Sequence, residues 1–336
     1  MTTHSIALHP RRGTHDPLPM TPPRLPGSVR RTAALDSVRP DGLRGRLLLT
    51  GHGRDLVTGA DGVCRVAGTA RFAMEIAYLT GRTIDAVTSD PELPELEGLR
   101  GAVAGPGFRA RLDAVAPAER DARSLLYLLL DDVPGAALVS GYAIGAADDR
   151  VRPPRVARKP PADQCAGWAS DATIMLEIGN TGRTPIPTGP VSPPLSDETD
   201  PLAWHDLPDL PPHGMRRARR LDVAAAPDGL MTVDQHFRDL HISAEGRPTI
   251  VHEYEVHARV EPGTWRVVDI EAVPRVLPWL ECPAAVASAR RLIGRSLVDV
   301  RTEVRAEFRG TSTCTHLNDQ LRSLADVVAL GPLVLG

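Results

Sequence analysis

The chain has 336 residues, a length that suggests about two domains. Its hydrophobic content of 42% and charged content of 24% are those of a globular protein, and a net charge of −3 leaves no basic footprint for nucleic acid or an anionic membrane. Apolar runs such as Ser124–Leu130 fall short of the roughly 18 residues a membrane span needs, and the N-terminus lacks the apolar core of a signal peptide.

From the N-terminus, residues 1–27 are Pro-rich and read as a flexible arm. Residues 28–145 then form a unit that recurs, in divergent form, at 213–333. "VRRTAALDSVRPDGL" (Val29–Leu43) resembles "MRRARRLDVAAAPDGL" (Met215–Leu230). "GRDLV" (Gly53–Val57) matches "FRDLH" (Phe237–His241), and "LPELEGL" (Leu93–Leu99) matches "LPWLECP" (Leu277–Pro283). Matches kept in order at a near-constant offset imply a duplicated unit. Between the units, residues 146–212 read as a Pro-rich linker with a hairpin in Ala172–Pro187, turning around Gly179–Gly182.

Asp41-Gly42 and Asp228-Gly229 are turn signals between extended segments. "PTIVHEYEVHARV" (Pro248–Val260) alternates: Ile250, His252, Tyr254 and Val256 share one face, while Glu253, Glu255 and Arg259 are expected on a solvated one. Thr264–Val273 is a further strand. The period then becomes helical, with Val300, Val304 and Phe308 in one segment and Leu317, Leu321, Leu324 and Val328 in the next. The fold class is α+β: twice over, an antiparallel meander followed by helices, arranged as a pseudo-two-fold pair within the chain.

Cys64, Cys165, Cys282 and Cys314 are widely spaced and contain no C-x-x-C pair, which excludes a zinc ribbon and a dense disulfide framework. Free thiols in a cytoplasmic protein are expected. Cys314 and His316 open the last helix. A thiol at a helix start feels the positive end of the dipole, and a nearby imidazole could act on it as a base. The plain alternative is a buried cysteine beside a Thr cap. Two residues apart on a helix point about 200° apart, so the pair can share a target only if Cys314 precedes the first turn. Cys282, before Pro283, suits an N-cap position. His252 points toward the helical layer. In the matched copies, Gly98, Ala70, Ser124 and Leu126 stand where the second unit has Cys282, His252, Cys314 and His316. Arg216, Arg217, Arg219 and Arg220 are expected on a solvated strand edge, with anion binding as the alternative.

These residues resemble a bacterial family, domain-of-unknown-function family 2889, over about Arg216 to Leu330. Cys314-Thr315-His316-Leu317 is similar to its most distinctive motif, which usually carries Gly where this chain has Thr313. Cys282 is similar to its lone upstream Cys, and His252-Glu253 to a His-Asp pair that an apolar residue follows, here Tyr254. The resemblance implies a small-molecule setting beside catabolic enzymes for aromatic or CoA-linked acids.

The leading expectation is a small-molecule hydrolase or lyase acting on an organic acid or thioester through Cys314, His316, His252 and Cys282. One alternative is a non-catalytic accessory or ligand-binding module. Another is a structural metal site built from those four residues, which would take zinc.

Overall fold

The computed structural model describes residues 7–8, 13–147, 162–182, 184–196 and 199–335. Among the described residues the strands are β1 (Ala7–Leu8), β2 (Ser28–Val38), β3 (Leu47–Thr58), β4 (Cys64–Ala77), β5 (Thr83–Asp90), β6 (Ile186–Pro187), β7 (Met215–Ala225), β8 (Met231–Ile242), β9 (Pro248–Glu261) and β10 (Arg266–Val276). Eight of them form one sheet in the order β10-β9-β8-β7-β2-β3-β4-β5, while β1 and β6 make a short parallel pair. The fold is α+β.

Each half is an antiparallel meander, and the halves join edge to edge through β2 and β7. The register is symmetric: Ala33 faces Arg219, and three residues to either side Asp36 faces Arg216 and Arg30 faces Asp222. The two hairpin turns anticipated from Asp-Gly place Gly42 and Gly229 at φ +84° and +82°, conformations that a side chain disfavours. Both meanders also carry a register shift at the same place, after Asp55 on β3 and after Asp239 on β8.

The helices α1 (Phe108–Val115), α2 (Pro117–Ala122), α3 (Leu125–Asp131), α4 (Val133–Val139) and α5 (Gly141–Ala146) follow the first meander. Next come α6 (Thr173–Thr181), and after the second meander α7 (Val300–Glu307), α8 (Thr315–Ser323), α9 (Val327–Leu330) and α10 (Pro332–Leu335). The stretch Leu125–Ala146 is long and apolar enough by composition to cross a membrane. Here it is broken at Asp132 and Ser140 into three helices, and most of α3 and much of α4 pack into the core under β2–β4. A second core lies under β7–β10, around Phe237, Tyr254, Val256, Leu317 and Leu321.

Several expectations are corrected. Ala172–Pro187 is not a hairpin. Ile174, Met175 and Ile178 fall at helical spacing, α6 forms, and Gly182 closes it in the left-handed conformation. Of the supposed flexible arm, residues 1–6 and 9–12 lie outside the description, but 13–27 are tied down. His15 bridges to Val276, Arg24 pairs with Asp200 at 2.7 Å, and Trp204 Nε1 donates to Thr21 Oγ1 at 2.9 Å. The expected linker segment 148–161 also lies outside the described residues.

Glu253 and Glu255 are buried rather than solvated, because chain from the expected arm and from the expected linker covers the outer face of the sheet. Arg238 donates to Glu253 (2.7 Å), to Leu18 O (3.0 Å) and to Pro193 O (2.7 Å), and Arg275 pairs with Glu255 at 2.5 Å. Arg259 is intermediate and pairs with Asp228.

The arginine run of β7 lies in the middle of the sheet, not at its edge. Strand alternation sends Arg216 and Arg220 outward and Arg217 and Arg219 toward the helices, all four at 8% exposure or less. On the helix side six arginines (31, 109, 217, 219, 301, 322) and six aspartates (55, 131, 132, 239, 319, 326) make one continuous ionic network. Arg31 joins Asp55 to Asp326, Arg301 joins Asp326 to Asp131, and Arg322 joins Asp131 to Asp319. Arg217 joins Asp319 to Asp239, Arg109 bridges Asp131 and Asp319, and Arg219 clasps Asp132. Although burial opposes their charge, the surrounding guanidiniums hold the Asp131 and Asp319 carboxyls far below their ordinary range.

Removing one member leaves a buried charge uncompensated. Arg322→Met is expected to cost about 3–5 kcal/mol in urea unfolding, whereas Arg46→Ala, which breaks an exposed pair with Glu75, should cost at most about 1 kcal/mol. The sign for pH follows from the depressed carboxyls. Their contribution is complete above the unfolded Asp value of about 3.9 and is lost as pH falls through the lower folded values. Thermal melts should therefore hold near neutrality and drop steeply below about pH 4.

Candidate functional site

Three elements converge at one end of the second core. β8 supplies Asp239, β9 places His252 opposite it in the ladder, and the start of α8 supplies Cys314 and His316. Val251 is the extra residue of the local bulge, since Leu240 pairs with Ile250 and Asp239 with His252. Such a bulge re-aims the neighbouring side chain. His252 stacks on His316 with ring centroids 3.7 Å apart and planes at 22°.

Cys314 occupies the N-cap position in extended conformation (φ −130°, ψ 132°). Because it precedes the first turn, its sulfur comes within 4.0 Å of His316 Nδ1. His252 Nδ1 lies 3.3 Å from Asp239 Oδ2, and His316 Nε2 lies 3.9 Å from the same oxygen. The first contact is misaligned for a hydrogen bond, so His252 Nδ1 is buried without a hydrogen-bond partner. Arg217 holds the other side of Asp239, its Nε at 2.9 Å from one oxygen and Nη2 at 3.1 Å from the other.

Burial raises the pKa of Asp239, but Arg217 and the adjacent imidazoles outweigh it, and the carboxyl stays far below its ordinary range. Burial, reinforced by His252, pushes His316 well below the ordinary imidazole value, so it is neutral. Burial also raises the Cys314 thiol, raises Cys282 well above its ordinary value, and lifts Cys165 to about 11. The lowered thiol pKa anticipated from the helix start is thus reversed: Cys314 is 5% exposed, and desolvation outweighs the dipole.

Cys282 is the first residue of the 3₁₀ segment Cys282–Leu292, with Glu281 rather than Cys282 at the N-cap. It packs against Gly167, where an added Cβ would lie 2.5 Å from its sulfur. All four anticipated residues line one cavity of about 370 Å³. Its walls are apolar and come from the whole chain: Leu138 and Tyr142 from the first half, Trp168 and Ile186 from the intervening segment, and Leu277 and Trp279 from the second half. Cys165 also lines it, although its sequence neighbourhood gave no hint of chemistry. Asp239 was likewise not anticipated; the signal was the Arg-Asp-Leu triplet at 54–56 and 238–240. Arg217, expected on a solvated edge, instead holds Asp239.

The first half lacks the counterpart of these groups. The ladder puts Gly68, not Ala70, opposite Asp55, as His252 stands opposite Asp239. Ser124 does hold the N-cap of α3 as Cys314 does that of α8, but it caps conventionally by accepting from Tyr127 N at 3.0 Å. A broader cleft of about 970 Å³ lies on the outer face of the first half, beside His52, Arg54, Arg71 and His205. There Thr32, His205, His52 and Asp36 contact one another in series at 2.7, 2.9 and 3.2 Å.

Residues 215–330 match the family model described as Protein of unknown function (DUF2889). The DUF2889 match runs from β7 through α9 and contains Asp239, His252, Cys282, Cys314 and His316, while the first half lies outside it. No curated protein matches the chain.

The electrostatics set an order of thiol reactivity. Partly exposed Cys64 should be alkylated first near neutral pH, with Cys165, Cys282 and Cys314 slow. A raised pKa means that thiolate accumulates only at higher pH, so the Cys165 rate should still be climbing between pH 9 and 11, read by peptide mass spectrometry.

Proposed function

We propose that the chain is an enzyme of small-molecule metabolism whose site is the cavity of the DUF2889 half. Its substrate would be a small organic acid or thioester with an apolar body, and its reaction a hydrolysis or elimination. The single observation that carries this reading is the convergence of His252 and His316 at the polar end of an otherwise apolar cavity, with the buried Asp239 against both rings. An apolar body would rest against Leu138, Trp168 and Trp279, with its carboxyl or acyl end toward the two imidazoles. His252 and His316 would accept or donate the proton moved in the reaction, and Asp239, fixed by Arg217, would orient them. Cys314 closes the side of His316. We read the two meanders as a tandem duplication in which one copy kept the site.

Charged residues are scarce around the cavity, and among the described residues its inner-face counterpart in the first half offers Gly68 and Ser124. A single site per chain favours turnover over a bivalent adaptor.

The test begins with a thermal-shift panel of aromatic and short-chain acids and their coenzyme A thioesters. A hit should raise Tm in the wild type and less in Leu138→Arg, which fills the cavity mouth. Turnover of the hit should fall about 10²–10⁴-fold in His316→Ala and at most modestly in Cys314→Ser. Equal turnover in His316→Ala and wild type would remove the imidazole role, and binding without any turnover would favour an accessory module.

A further inference from the structure

At the polar end of the cavity, His252 and His316 and the buried Asp239 beside them make the donor set of a metal centre. One ring nitrogen of each histidine and a carboxylate oxygen of Asp239 all lie within 4.8 Å of one another, and Asp239 Oδ2 is 3.3 Å from His252 Nδ1 and 3.9 Å from His316 Nε2. We propose that these three residues bind one divalent transition ion of the zinc or iron(II) type. The inference deepens the catalytic reading above and rests on the same cavity.

Four observations carry it. The ligand atoms come from β8, β9 and α8, so the fold rather than one flexible loop brings them together. His252 Nδ1 is buried, aimed at Asp239 and left without a hydrogen-bond partner; a buried polar atom that makes no bond needs a partner. Asp239 is 1% exposed and has its outer support already in place, because Arg217 grips both oxygens as second-sphere groups do around ligating carboxylates. Finally, two imidazoles and one carboxylate suit zinc or non-haem iron(II), and leave coordination positions for water or substrate. Those positions would open on the cavity, beside Cys314.

Binding requires a small closure. Metal–nitrogen bonds are about 2.0–2.1 Å, so the stacked rings must turn toward each other around the ion while Asp239 stays with Arg217. This set differs from the Cys282, Cys314, His252 and His316 set expected from sequence: the close cluster takes in Asp239 and neither thiol.

The experiment uses the full chain, stripped with a chelator and titrated with zinc or cobalt(II), read by calorimetry, absorption and Tm. One ion per chain is expected, with a rise in Tm and visible cobalt bands. His252→Gln and His316→Gln should each weaken zinc binding at least about 100-fold, beyond the 10–100-fold typical of losing a supporting group alone. Circular dichroism and metal-free Tm will show that both variants fold. His257→Ala alters the more exposed Asp234, Glu255 and His257 cluster and should leave affinity unchanged. A wild type that binds no tighter than the two variants, or an affinity lost in His257→Ala, overturns the site. A thiolate-to-cobalt charge-transfer band absent from Cys314→Ser would overturn the ligand set in favour of sulfur. The catalytic reading fails separately. If turnover survives complete chelation, the imidazoles act without metal and a catalytic role for the ion falls, while the site itself stands or falls by the titrations above; if the ion binds and no acid or thioester does, the ion stands and the substrate reading falls.

Discussion

Six guanidiniums and six carboxylates buried between a sheet and its helices are a demanding thing to fold around. Each charge taken out of water costs several kcal/mol after relaxation, and only close, complete pairing offsets this. The network meets that demand by balance: equal numbers of each sign, with aspartates shared between arginines. It also dictates which parts of the chain must meet. Asp131 and Asp132 of the first half are answered by Arg301, Arg322 and Arg219 of the second, and Arg31 of the first reaches Asp326 of the second. The continuous sheet and the interlocked helices are two expressions of one constraint.

The same network reaches the cavity. Asp239 is its terminal carboxylate, fixed by Arg217, which is itself fixed by Asp319. The groups at the polar end of the cavity are therefore built on a rigid base, as precise chemistry requires. The first half has the same Arg31–Asp55 pair and the same bulge, but Gly68 stands where an imidazole would be. An Arg-Asp pair of this kind occurs in both halves; His252, Cys314 and His316 stand beside that of the second.

Much of this was legible in the sequence. Alternation in Pro248–Val260, Asp-Gly turns and helical spacing after residue 297 gave the right elements, and Cys282, His252, Cys314 and His316 do share a cavity. The errors on the strands share one cause, the reading of charge as a sign of solvent. Glu253, Glu255 and the β7 arginines looked like surface because nothing local announces their partners, which lie as far as 235 residues away in the chain. A clue existed: the Arg-to-Asp spacing of Arg30–Asp36 recurs in Arg216–Asp222, and antiparallel pairing of the two strands makes each Arg face the other's Asp. Asp239 was overlooked because its triplet occurs in both units and so reads as scaffold, which it also is. Proline-rich composition disguised chain that packs closely on the outer face.

The division of counter-charges between the halves bears on how the protein is made. A ribosome delivers the first half first, so β2 emerges with a free edge and α3 with Asp131 and Asp132 facing no arginine but Arg109. Their remaining partners are not translated until residues 217–322. The apolar stretch Leu125–Ala146 must wait through that interval, an aggregation-prone intermediate of the kind that holding chaperones protect. The nascent first half thus holds carboxylates whose arginines, Arg219, Arg301 and Arg322, are still to be made.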